Sequence, residues 1–125
     1  MILVVGGANQ GKTFYASEKF QISHWIFGGD CDMETVCLAP GICHFELLVE
    51  RMIRKGENPK EFAEKLIKLN PDIIIITNEL GCGLVPMDAF FRRYREEHGR
   101  VCTFLAAQAK EVHRVFCGIG TVIKG

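Results

Sequence analysis

The sequence lacks an excess of either charge: lysine plus arginine equals aspartate plus glutamate, fifteen each. No global field therefore draws the chain onto nucleic acid or an anionic membrane, and a charged ligand needs a local site. Long apolar runs are missing as well. The run Ile73 to Thr77 is far too short to cross a bilayer. The opening Met-Ile-Leu-Val-Val has no basic segment and runs straight into glycines, so it does not read as a signal peptide. The six cysteines, at 31, 37, 43, 82, 102 and 117, include no Cys-x-x-Cys pair. They read as reduced thiols of a cytoplasmic protein. A looser metal reading collects Cys31, Cys37, Cys43 and His44, at wider spacing than structural zinc motifs use.

What is present is enough for one core. Apolar residues make up 48% of 125 residues, which suits a single domain over 1–125. Ile2 to Val5 is a short, wholly apolar run, the mark of a parallel strand buried on both faces. A helix is expected from Lys12 to about Phe20, and a weak strand over Trp25 to Phe27. The stretch on to Pro40-Gly41 reads as loop. Phe45, Leu48, Val49, Met52 and Ile53 share a helical face that Gly56 ends. Asn58-Pro59-Lys60-Glu61 starts another helix, with Asn58 as cap and Phe62, Leu66 and Leu69 as its buried stripe.

Ile73 to Thr77 reads as a second central strand, rich in β-branched side chains. A glycine loop at Gly81-Cys82-Gly83 follows, and Pro86 opens a long helix carrying Phe90, Tyr94, Val101 and Leu105. Val112 to Cys117 is expected as a strand, Gly118-Ile119-Gly120 as a turn, and Thr121 to Lys124 as an antiparallel edge strand. Strands alternating with helices imply a three-layer α/β fold with a mostly parallel sheet. Ligands of such folds gather at the carboxyl ends of the strands.

Gly6-Gly7-Ala8-Asn9-Gln10-Gly11-Lys12-Thr13 fits the phosphate-loop pattern G-x-x-x-x-G-K-[ST] at every fixed position. Glycines let successive backbone N–H groups turn inward as an anion nest, and the following helix adds its own N-terminal N–H groups. Lys12 is expected on the β- and γ-phosphates, and Thr13 on a magnesium ion carried by GTP or ATP. Glu79, at the end of the second central strand, can hold magnesium-bound water or take a proton from an attacking hydroxyl. It can equally be a solvated strand-end residue.

The Gly6–Thr13 loop, the string Asn78-Glu79-Leu80-Gly81-Cys82-Gly83-Leu84-Val85-Pro86, the arginine-rich Arg92-Arg93-Tyr94-Arg95-Glu96 with Gly99-Arg100, and the tail from Phe104 to Lys124 together carry a resemblance. They resemble the adenosylcobinamide kinase/adenosylcobinamide-phosphate guanylyltransferase family. The resemblance implies a RecA-like P-loop NTPase fold and a trimer. It implies phosphorylation of adenosylcobinamide, then transfer of GMP from GTP through a guanylylated histidine, in cobalamin biosynthesis. Two features depart from the family pattern. Asn9-Gln10 stands where the family carries Arg-Ser, and between Phe20 and Asp72 neither the family's histidine-bearing helix nor its acidic strand end has a faithful copy. Asp30, after the weak strand, is the candidate for the missing magnesium carboxylate, or else a solvated acidic turn. His44 is the first candidate for the nucleotidylated histidine, carried to the site edge by a Pro40-Gly41-Ile42 loop. His24 is the second, although its place in an apolar strand suggests packing. Arg92, Arg93, Arg95 and Arg100 form either a basic rim for substrate or a solvated face paired with Glu96 and Glu97. Two other readings share the loop: a nucleotide-binding module without the chemistry, and a kinase for another small molecule.

Overall fold

A computed structural model describes residues 1–80 and 88–125. Among the described residues eleven elements follow one another: β1 (Ile2–Gly6), α1 (Lys12–Phe20), β2 (Ile26–Phe27), α2 (Met33–Val36), β3 (Gly41–Cys43), α3 (Phe45–Arg54), α4 (Pro59–Leu69), β4 (Ile74–Asn78), α5 (Ala89–Gln108), β5 (Glu111–Phe116) and β6 (Ile119–Lys124). The strands form one sheet in the order β2-β3-β4-β1-β5-β6. Every pairing is parallel except β5 with β6, which is antiparallel at the edge. This is the α/β P-loop architecture with an antiparallel C-terminal edge strand.

Side-chain alternation along the strands builds two cores. Ile2, Val4, Ile74, Ile76 and Val115 pack with Ala16 of α1 on one face. Leu3, Ile73, Ile75 and Val112 face the other way, against Leu48, Val49 and Met52 of α3, Leu66 of α4 and Leu105 of α5. After β1 the chain moves toward the β2 edge, returns through β3 and β4, and then passes over β1 to reach β5. The sheet order thus reverses beside β1, which opens a crevice at its carboxyl end.

Helix ends follow local chemistry. Asn58 Oδ1 accepts the N–H groups of Lys60 and Glu61, with Pro59 at the first helical position. At the end of α3, Gly56 N–H bonds Ile53 and Glu57 N–H bonds Met52, a Schellman closure. Asp88 caps α5 by accepting the N–H of Phe90.

Several expectations are corrected. The stretch expected as loop before Gly41 contains α2, capped by Asp32, and Gly41-Ile42-Cys43 is a strand that pairs with both β2 and β4. His44 is therefore delivered by a strand end and not by a loop. His24 lies outside any strand and is exposed, so it does not pack. Leu69 is 58% exposed, because the buried face of α4 runs through Ala63 and Leu66. The last turn is Cys117-Gly118, with Ile119 and Gly120 already inside β6. The expected Gly81-Cys82-Gly83 loop and the helix start at Pro86 fall outside the described residues.

Candidate active site at the carboxyl ends of β1, β3 and β4

The phosphate-loop sequence leaves β1 at its carboxyl end and closes onto α1. A Cβ on Gly6 would stand 2.5 Å from the carbonyl oxygen of Val115, so only glycine lets β1 and β5 approach this closely there. Gly11 has φ +81°, the left-handed turn that starts α1. Lys12 is 7% exposed, and its Nζ donates to the Gly7 carbonyl at 2.6 Å across the loop. Burial lowers the Lys12 pKa, while the negative charges of Glu46 and Glu79 act to raise it. Thr13 is half-buried in the first turn of α1.

Glu79 follows β4 directly. Its N–H donates to the Gly6 carbonyl at 2.9 Å, and its Oε1 lies 3.3 Å from Nε of Arg114 on β5. The strand-end residue is therefore tied to β1 by its backbone and to β5 by its carboxylate. Its field reaches Lys12.

Glu46 is the residue that the sequence analysis missed. It sits in the first turn of α3 and is 3% exposed. One carboxylate oxygen accepts the N–H of Asn78 at 2.9 Å, and the other lies 3.0 Å from His44 Nδ1. A carboxylate only accepts, so Nδ1 carries the proton in that bond. The Tyr94 hydroxyl donates to the Glu46 carbonyl at 2.6 Å, which pins the helix start to α5. Glu46 has the largest of the fields that support the charge on Lys12. The helical stripe offered a signal: 46, 49 and 53 share a face, so a carboxylate lies among apolar positions.

His44 ends β3 in the left-handed conformation, φ 53°, and turns the chain into α3. Its side chain is 47% exposed, and its ring stands edge-on to Phe27 at 5.4 Å. β3 lies two strands from β1, which at the usual interstrand spacing is roughly 10 Å. Asp30 is exposed in the turn after β2, three strands away, or roughly 14 Å by the same spacing. The loop lysine, Glu46, Glu79 and His44 thus gather at one end of the sheet, and Asp30 follows β2 at the same end, on the far side of β3 from the loop.

Behind Glu46 lies a buried polar layer. Thr77 Oγ1 is 2.8 Å from His98 Nε2, and Cys102 Sγ is 3.5 Å from the same nitrogen. Burial lowers the His98 pKa to about 4 and raises that of Cys102 to about 12. His98 fills the gap in the stripe Tyr94, Val101 and Leu105. The five described cysteines are free thiols, and the described residues contain no cluster of three or more metal-ligating side chains. Arg92, Arg93 and Arg100 are exposed on α5, Arg95 is half-buried, and Arg100 pairs weakly with Glu97 at 3.7 Å.

Residues 42–123 match the family described as cobinamide kinase / cobinamide phosphate guanyltransferase, roughly two thirds of the chain. The chain belongs to this family. The match to the cobinamide kinase / cobinamide phosphate guanyltransferase family takes in His44, Glu46, Glu79 and Arg114, and the phosphate loop lies ahead of it. Two curated relatives are similar at 46% identity over 52 residues: the "Bifunctional adenosylcobalamin biosynthesis protein CobU" of Escherichia coli (strain K12) and that of Salmonella typhimurium (strain LT2). The aligned stretch covers 42% of this chain and 29% of each relative. No helix among the described residues is long and apolar enough to cross a membrane.

Proposed function

We infer that the chain is a nucleoside-triphosphate-dependent adenosylcobinamide kinase that also transfers a guanylyl group. The observation that carries this reading is the buried Lys12 of a full phosphate loop, within the fields of the Glu46 and Glu79 carboxylates. Loop N–H groups and Lys12 would hold the β- and γ-phosphates and stabilise charge on the transferring group. Glu79 would accept the proton of the attacking aminopropanol hydroxyl as the new P–O bond forms and the nucleoside diphosphate leaves.

The donor set fits a magnesium-bound triphosphate, with the Thr13 hydroxyl beside the loop and carboxylates opposite. Magnesium would neutralise phosphoryl oxygens and orient the triphosphate. Asp30 belongs to the reading only if the β2 end moves toward the loop.

For guanylyl transfer, His44 is held by Glu46 through Nδ1, which leaves Nε2 for attack. An Nε2–P bond to the α-phosphorus would form as diphosphate leaves. The phosphate of the phosphorylated cobinamide would then displace the histidine and carry away GMP. Trimeric assembly and a cytoplasmic location complete the reading on family resemblance.

The test is incubation with GTP labelled at the α- or the γ-phosphate, with and without adenosylcobinamide. The expected result is γ-label in the corrinoid and acid-labile α-label on the protein. That α-label should be lost in His44→Ala and kept in His24→Ala. Glu79→Gln should lower kcat for phosphoryl transfer by about 10²–10⁴-fold. Label in the corrinoid alone leaves a kinase. GTP binding with label in neither favours the nucleotide-binding module.

A further inference from the structure

The turn between β5 and β6 is bonded to the phosphate loop. Cys117 and Gly118 both have positive φ, 51° and 76°, the tight two-residue turn that matches the twist of antiparallel strands. Cys117 N–H donates to Gln10 Oε1 at 2.7 Å, and Gly118 N–H donates to the Gln10 carbonyl at 2.8 Å. Gly118 Cα would lie 3.4 Å from a Cβ placed on Gly11. Gly120 lies so close to Tyr15 that a Cβ would enter its ring. The hairpin therefore runs along the loop and the first turn of α1.

Phe116 and Ile119 flank this turn as a direct cross-strand pair. They are 68% and 72% exposed, as are other large apolar side chains such as Phe14 at 74% and Leu38 at 88%, but these two border the turn bonded to the loop. On the β4 side the carboxylates of Glu46 and Glu79 extend their fields to the loop lysine. On the β6 side the loop is bonded to a turn flanked by an exposed aromatic ring and an isoleucine. A nucleotide held by its phosphates in this loop has to lay its base to one side. The apolar side offers a planar base a stacking surface, and the carboxylate side does not.

The geometry points to the β5–β6 hairpin as the platform for the base of the bound nucleotide, with Phe116 as its stacking surface and Ile119 extending it. The inference rests on the triphosphate reading above. Every base has a π-face, so such a platform strengthens GTP and ATP binding alike and leaves selection between them to other contacts.

The test compares the full chain with Phe116→Ala and with Phe116→Tyr, measuring binding of GTP, ATP and inorganic tripolyphosphate with magnesium. Phe116→Ala is expected to weaken GTP and ATP by about tenfold or more. Tripolyphosphate affinity should be unchanged, and Phe116→Tyr should bind like the parent. Light scattering on the same samples reports whether a second copy of the chain covers the patch instead. Three outcomes overturn the platform: unchanged GTP affinity in folded Phe116→Ala, equal loss for GTP and tripolyphosphate, or dissociation of an oligomer with nucleotide affinity intact. If the parent chain binds neither GTP nor tripolyphosphate, the triphosphate reading itself falls, and the platform with it.

Discussion

The Glu46 carboxylate accepts the backbone N–H of Asn78 at 2.9 Å, so the first turn of α3 is bonded to the carboxyl end of the strand beside the phosphate loop. Glu46→Ala strands that N–H and the His44 ring. It should cost about 1–3 kcal/mol of stability. Glu46→Gln keeps an oxygen for Asn78 and should cost clearly less. Urea denaturation of both variants checks the difference, and equal stability of Glu46→Ala and parent would remove the structural role.

Burial lowers the Lys12 pKa, and the charges of Glu46 and Glu79 oppose that effect. Lys12→Ala should weaken triphosphate binding by about 1.5–3 kcal/mol through loss of a charge-assisted contact. In the parent chain, binding should also fade at an alkaline pH below the ordinary lysine range. The protonated form holds phosphate, and it is lost as pH rises through a lowered pKa. Calorimetric titration across pH measures both effects. An unchanged affinity in folded Lys12→Ala would defeat the assignment.

Histidine 98 is buried neutral, with its pKa lowered to about 4 against 6.5 for the free side chain. As pH falls from 6.5 toward 4, the unfolded chain takes up a proton that the folded chain refuses. Stability is therefore fully present above pH 6.5 and declines to the acid side, by at most on the order of 3 kcal/mol. The groups facing it are Thr77 on β4, Cys102 and Tyr94 on α5, and the field of Glu46. In His98→Gln this acid decline should flatten. Parallel denaturation profiles for the two proteins between pH 7 and 4 would refute it.

Gly6→Ala drives a methyl group into the Val115 carbonyl at 2.5 Å. Both atoms belong to packed strands, so neither yields cheaply. A loss of about 2 kcal/mol or more is expected, in the range of overpacked cores. A thermal melt reads it directly, and a melting point equal to that of the parent would show that the strands part without cost.

Legibility of this chain tracked the strength of its local patterns. β1, α3, α4, β4 and β5 carry apolar periods or caps that point one way, and the structure follows them. β3 is three residues between Pro40 and His44, too short to show a period, and its strand state is decided by pairing with β2 and β4. Glu46 reads as an ordinary acidic residue of a first helical turn. Its burial is set by Asn78, thirty-two residues later. His98 was hidden for a similar reason, since its partner Thr77 lies on another element. The phosphate loop was plain in the sequence because every fixed position is local, whereas the field of Glu46 at Lys12 is a product of the tertiary fold.

The bond between Gln10 and Cys117 spans 107 positions, and this has a consequence for synthesis. β1 leaves the ribosome well before its two sheet neighbours, β4 and β5. At ordinary elongation rates of about 5–20 residues per second, the nascent phosphate loop waits several seconds or more for residues 111–120. Until then β1 exposes both its edges, and Gln10 has no turn to grip. The phosphate-loop end of the sheet, made before its partners, is among the last parts to take its shape.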